Sequence, residues 1–179
     1  MAELRVERVD RPAGALVHLR VPMYARETVA TRLGLPASPS IWSGTDPEAL
    51  WLAPDQWLLV ARERDAASLV AWCQSALEGL LHVASDATSA LSLFRIEGPA
   101  GRDLLAMGSG VDFDASVFGE RGCVRTRWMQ APVIVRRVGV DAYEMYVDAT
   151  LADLVGKWID YSSADAVAVC TGRTRSDTR

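Results

Sequence analysis

Two apolar and aromatic runs, Ala49 to Ala53 and Trp57 to Ala61 in ALWLAPDQWLLVA, are separated only by Pro54, Asp55 and Gln56. PDQ supplies turn chemistry, so the two runs are expected to fold back on each other as a β-hairpin. Upstream, GALVHLRV alternates Ala15, Val17, Leu19 and Val21 with Leu16, His18 and Arg20. That is the period of a strand with one strongly buried face and His18 on the more polar one. YARETVATRLGL then sets Val29, Ala30 and Leu33 on one helical face and stops at Gly34, a C-cap residue with Pro36 just beyond. The loop PASPSIWSGTDPE carries Trp42 into the hairpin. After it, Asp65 is placed to cap a helix in which Leu69, Val70, Cys73, Ala76, Leu77 and Leu80 recur at helical spacing, and LLHVAS closes the set as a short strand. The order is β-α-β-β-α-β, the split βαβ pattern of ferredoxin-like folds.

The second half varies that order. SALSLFRIEG reads as a strand, PAGRDLLAMG as a short helix with Pro99 in its first turn, and VDFDASVFGERG as a loop. CVRTRW, APVIVRRV and AYEMYV follow as consecutive strands. TLADLVGKWIDY is then a helix that buries Leu151, Leu154, Val155, Trp158 and Ile159 against the sheet. The expected class is α+β: a ferredoxin-like βαββαβ unit followed by a related β-α-β-β-β-α half, with antiparallel sheets and helices packed on one face. A chain of 179 residues suits a single compact domain, 1–179, built of halves at about 1–86 and 87–161. The tail 162–179 is expected to be mobile on its own, with AVAVC able to add a strand to a partner's sheet edge.

A net charge of −4 argues against broad electrostatic binding to nucleic acid or to an anionic membrane. No apolar run approaches the roughly 20 residues that span a bilayer, and MAELRVERVD has charges where a signal peptide has an apolar core, so the cytoplasm is the expected location. Cys73, Cys123 and Cys170 are widely spaced and odd in number, which signals neither a disulfide framework nor a zinc knuckle. His18 and His82 are too few for a His-rich metal site.

The glycines of IEGPAGRDLLAMG, at 98, 101 and 108, fit neither phosphate-binding spacing and read as a structural corner. His82 precedes Ser85, Asp86, Thr88 and Ser89, but these are turn formers, and a triad requires convergence in space. Asp112, Asp114 and Glu120 fall short of an oxygen-ligand loop. No catalytic, cofactor-binding or metal-ligating residue is assigned. The densest charge is Arg121, Arg125, Arg127, Arg136 and Arg137. Arg125 and Arg127 share a strand face and suit a carboxylate, a phosphate or acidic residues of another subunit. Trp51, Trp57, Trp72 and Trp158 fall in periodic segments and read as core, whereas Trp42 and Trp128 sit in a loop and at a strand end, where large aromatics anchor interfaces. Trp42, Arg121, Arg125, Arg127 and Trp128 are therefore the candidate subunit-interface or anion-contacting residues.

LWLAPDQWLLVA, HVASDATSALSLFRIEGPAGRDLLAMGSGVDFD, FGERGCVRTRWMQAPVIVRRVGVDAYEMYV and ATLADLVGKWID, in this order and spacing, resemble the gamma-subunit family of heterotetrameric sarcosine oxidases over roughly residues 45 to 160. That family is similar in fold to the folate-binding part of glycine-cleavage aminomethyltransferases, in which the strand corresponding to APVIVRRV begins with an acidic residue that handles folate and aminomethyl transfer. Here Ala131, Pro132 and Val133 stand in its place, which argues against transferase activity. The resemblance implies a structural subunit without a complete catalytic site of its own, within an oxidoreductase complex that demethylates sarcosine to glycine and passes the one-carbon unit to tetrahydrofolate. The implied partners are alpha, beta and delta subunits. The implied cofactors, none on this chain, are FAD, FMN, NAD and tetrahydrofolate, with zinc on delta. The alternative is a stand-alone folate-binding or one-carbon transferase-like protein, in which Arg125 and Arg127 would receive the glutamyl carboxylate of folate.

Overall fold

The alternating and helical patterns become ten strands and four α-helices in a computed structural model of the chain, which describes residues 3–10 and 14–176, with side chains described through residue 172. In chain order these are β1 (Arg5–Val9), β2 (Ala15–Arg20), α1 (Arg26–Leu33), β3 (Trp42–Ser43), β4 (Glu48–Ala53), β5 (Gln56–Ala61), α2 (Ala66–Ala76), β6 (Val83–Asp86), β7 (Leu91–Glu97), α3 (Gly101–Gly108), β8 (Cys123–Trp128), β9 (Ala131–Gly139), β10 (Ala142–Asp148) and α4 (Ala152–Ser176). The class is α+β, with two five-stranded antiparallel sheets. Two compact units are formed, one by the described residues of 11–91 with 121–124, the other by those of 1–10, 92–120 and 125–179.

In the first unit the strand order is β3-β4-β5-β2-β6. The hairpin pairs Glu48 with Val60 and Leu50 with Leu58, and β2 pairs antiparallel with both β5 and β6. Leaving out the two-residue β3, this is the ferredoxin-like arrangement read from the sequence, in which the first strand lies between the third and fourth. One sheet face supplies Ala15, Val17, Leu19, Ala49, Trp57, Leu59 and Ala61 to a core that α1 and α2 complete with Val29, Ala30, Leu69, Cys73 and Leu77. The alternation of β2 thus finds its helical cover. The other face is also apolar and covered, with Leu16, Leu50 and Leu58 at most 1% exposed. Both helices end as their residues dictate. Gly34 takes the left-handed conformation (φ 65°) that closes α1, and the Asp65 carboxylate accepts from Ser68 N at 2.7 Å to cap α2, an interaction worth about 1 kcal/mol.

In the second unit the order is β1-β7-β10-β9-β8. β1 was not legible as a strand in MAELRVERVD. It pairs antiparallel with β7, and its register sets Arg5 opposite Glu97 and Glu7 opposite Arg95. Much of its fit is therefore charge complementarity across the ladder, which a hydrophobic pattern does not register. Leu104 and Leu105 of α3 and Val155 and Ile159 of α4 are buried, as are Tyr143, Met145 and Val147 of β10. Phe113 packs edge-on against Phe118 and Tyr143, at ring-centroid distances of 5.2 and 6.4 Å. Buried Arg137 donates to the carbonyls of Phe118, Gly139 and Val140, tying the loop before β8 to the end of β9.

The expectation of a mobile tail from residue 162 is corrected. α4 runs on from Ala152 to Ser176, and Ala166 and Cys170 continue the buried face begun by Val155 and Ile159. AVAVC is helical: its strand-like alternation is incidental to a spacing of four and eleven residues that keeps these side chains on one face. Ser163 Oγ and Thr171 Oγ1 donate to the carbonyls four residues back, which accommodates these polar side chains within the helix. Residues 177–179, the end of that expected tail, lie outside the described residues.

Candidate functional site

The sequence-predicted residues divide into a surface pair, a strand edge and a core side chain. Trp42 lies on β3, where its N–H donates to Arg121 O at 3.0 Å and Cys123 N–H donates to Ser40 O at 2.9 Å. These bonds clamp residues 40–42 against 121–123, and the Arg121 guanidinium carbon stands 5.7 Å from the Trp42 ring centroid. That is cation–π geometry. Ile41, bridged to Gly122, is 38% exposed beside the pair. An exposed arginine stacked on tryptophan next to an apolar side chain has the composition of an interface anchor.

Arg125 and Arg127 are exposed on β8, and Arg127 Nη2 donates to Gln130 O at 2.8 Å, which holds its side chain over the turn into β9. Trp128 is different. It is fully buried, donates from Nε1 to Leu104 O at 3.2 Å and lies 6.5 Å from the Trp158 ring. A Cβ at Gly108 would run into its indole, so α3 ends on a glycine where the ring requires room. Trp128 therefore offers a partner no surface, and its expected interface role is replaced by one in the core. Its place at a strand end misled because α3, distant in sequence, covers it.

At the start of β9, Ala131 and Val133 are buried and Pro132 is exposed. No carboxylate is provided at that point of the strand. His82 does not build a triad: its Nδ1 lies 2.8 Å from Leu80 O, while Asp86 accepts from Thr88 N at 2.8 Å and is held below the usual carboxylate range by that turn. Asp112 and Asp114 likewise cap their own loop, with Asp114 also bridged to Arg102 at 2.9 Å. Among the described residues no cluster of three or more His, Cys, Asp or Glu is arranged to hold a metal ion. Burial pushes the Cys73 thiol up to about 11, which makes it an inert core group at neutral pH.

Three features escaped the sequence reading. Arg136, fully buried, reaches Glu144 Oε2 through Nε at 2.9 Å and Nη2 at 2.6 Å, and Tyr146 OH donates to the same oxygen at 2.8 Å. A basic residue in APVIVRRV and an acidic one in AYEMYV, on strands joined by a tight turn, were the available signal. Asp103, buried under α4, has its pKa raised by burial, against the opposing pull of Arg102 and a hydrogen bond with Cys170. In the first unit a cavity of about 280 Å³ opens between Arg26 and Glu27 on α1 and the walls formed by Pro39, Trp51, Pro54 and Trp57. Its walls mix two charged side chains with apolar and aromatic ones, and it lies apart from the Arg125–Arg127 edge in sequence.

These residues supply structural packing and exposed cations, without a nucleophile, base and orienting acid brought together. A curated sarcosine oxidase subunit gamma from Corynebacterium sp. (strain U-96) is 28% identical over 138 residues, which is 76% of this chain and 66% of that protein, just under two thirds of its length. A solved heterotetrameric sarcosine oxidase from Corynebacterium sp. U-96, in complex with pyrrole 2-carboxylate, contains a chain that superposes with a TM-score of 0.78 at 25% identity, over 93% of this chain and 85% of that one. The glycine cleavage system aminomethyltransferase T from Bartonella henselae shares the fold, with a TM-score of 0.58 at 18% identity over 86% of this chain and 45% of that one. The model of the "Sarcosine oxidase, gamma subunit family" matches residues 21–165, and the chain belongs to that family.

Proposed function

We propose that this chain is a structural, non-catalytic subunit of a heterotetrameric, flavin-dependent oxidase of sarcosine or a related N-methyl amino acid, with alpha, beta and delta subunits as its partners. The observation that carries the non-catalytic part is the start of β9. In a fold shared with an aminomethyltransferase, Ala131, Pro132 and Val133 offer no group to accept or deliver a proton. These residues do not fit one-carbon transfer, which is assigned to another chain of the assembly, and the family resemblance implies that the flavins, NAD and zinc are held by the partner subunits as well. The gamma chain contributes surface, with the Trp42–Arg121 pair as its expected anchor.

Co-expression with the other subunits tests this directly. The tagged chain is expected to co-purify with flavin-containing chains that demethylate sarcosine, and to be inactive when purified alone. Demethylation of sarcosine, or one-carbon transfer to tetrahydrofolate, by the isolated chain would overturn the reading. Calorimetric titration of tetrahydrofolate into the isolated chain separates it from a stand-alone folate-binding role, for which saturable heat is required.

A further inference from the structure

We propose that the outward face of α4 packs along a helix of a partner subunit whose flanking positions carry basic side chains. This rests on the reading of the chain as one subunit of an assembly and names the surface and the chemistry of one of its contacts. α4 has two apolar faces with different fates. Val155, Ile159, Ala166 and Cys170 are buried. Leu154, Tyr161 and Ala168 recur every seven residues and are exposed, Leu154 at 42% and Tyr161 at 81%. At about 100° per residue the centres of the two sets lie about 150° apart around the helix axis. A surface helix needs one apolar stripe to meet its own core, and the second stripe here has no such use. From Leu154 to Ala168 it runs about 21 Å, which matches four turns of another helix. Ala164, three residues after Tyr161, and Ala168, four further on, are small enough for a close approach. Tyr161 between Leu154 and these alanines is the kind of large amphipathic side chain that anchors an interface.

Charge identifies the occupant. With Leu154, Tyr161 and Ala168 at position a of a heptad and Ala164 at d, the flanking positions e and g hold Asp153, Asp160 and Asp165. Asp153 is bound to Arg8 at 2.5 Å and is set aside. Asp160 and Asp165 are exposed and enter no ion pair among the described residues. A second copy of the chain does not suit this seam. Parallel helices would set Asp160, at g, against Asp165 of the other copy, at e of the next heptad. Antiparallel helices would oppose g to g and e to e, and neither position holds a cation between residues 152 and 172. Like charges so placed repel, so the seam is complementary to a helix with Lys or Arg at its flanks and is opposed to itself. Lys157 lies inside the seam, where a lone polar side chain fixes the register of the pair.

The test compares wild type, Tyr161→Ala and Asp160→Lys/Asp165→Lys, each co-expressed with the other subunits, and adds a chain with photoreactive benzoylphenylalanine in place of Tyr161. Both variants are expected to be recovered in the assembly at least about tenfold less than wild type at physiological ionic strength, equivalent to about 1.4 kcal/mol. Alone, each is expected to unfold at the same urea concentration as wild type, because the altered side chains face away from the core. Light is expected to join position 161 to one partner segment that carries basic residues, with the cross-linked positions three or four apart. Should either variant unfold early, the cross-link decides, since that chain keeps an aromatic ring at 161. Wild-type recovery of the charge-reversed chain overturns the inference. So does a cross-link from 161 to a second copy of the chain, to a segment without basic residues, or to no protein at all. If wild type recovers no partner, the inference and the proposed function fall together. If wild type and the charge-reversed variant assemble equally, only the inference falls.

Discussion

Arg136 and Glu144 stand directly opposite each other across β9 and β10, and Tyr146 adds a third donor to the same carboxylate. Such a pair pays for the removal of two charges from water through its geometry, so its worth lies in not being broken. Glu144→Ala leaves a guanidinium that is 0% exposed without its carboxylate. It is expected to cost about 3–5 kcal/mol in urea unfolding, whereas Tyr146→Phe, which removes one hydrogen bond to a charged group, should cost about 1.5–3 kcal/mol. Equal losses in the two variants would argue against this division. Asp103 behaves in the opposite sense. Burial raises its folded pKa above the ordinary 3.8, so the stability it contributes is fully present below that value and is lost as pH rises through the folded value. Asp103→Asn keeps the shape and cannot ionise. Its melting temperature is expected to exceed that of wild type at pH 7, with the gap closing toward pH 4. A constant gap across that range would remove the titration as its cause.

α4 makes the same point over a whole element. Ala166 is 0% exposed two turns past Ile159, and α3 packs along the helix. Ala166→Asp is therefore expected to destabilise the chain by on the order of 3 kcal/mol in chemical unfolding. A surface alanine at Ala164 should accept the same change within about 0.5 kcal/mol. The sequence disclosed the hairpin, the capped helices and the β-α-β-β-α-β order because those signals are local: alternation, a turn, an N-cap carboxylate. What it hid depends on distant partners. β1 is specified largely by the charges of β7, Trp128 by the end of α3, and the last half of α4 by a face completed only when α3 is beside it. The arginines of the charged stretch divide by their partners. Arg125 and Arg127 are exposed, while Arg136 and Arg137, equally charged in the sequence, are drawn inside by Glu144 on the neighbouring strand, by the nearby carbonyls of Gly139 and Val140 and by that of Phe118 in the loop before β8.

At the scale of the whole molecule, composition and surface combine into an expectation for the chain without partners. Half of the residues are hydrophobic and the net charge is only −4, so long-range repulsion does little to keep copies apart. In the first unit, β6 is the end strand of its sheet, and its register places Val83 opposite Arg20, close in sequence to Met23 and Tyr24. Met23, Tyr24, Leu81 and Val83 are 53%, 81%, 68% and 58% exposed. Large apolar side chains on and beside an exposed strand edge favour association when nothing covers them. The isolated chain is expected to show concentration-dependent sedimentation that rises with temperature, as apolar association does near 25 °C. Val83→Lys, which puts a charge on that edge, should shift it toward monomer without changing its unfolding free energy by more than about 0.5 kcal/mol. A wild-type chain that sediments as a monomer at every concentration would mean that the β6 edge is guarded by the rest of the molecule, and that the pressure to assemble comes from elsewhere on its surface.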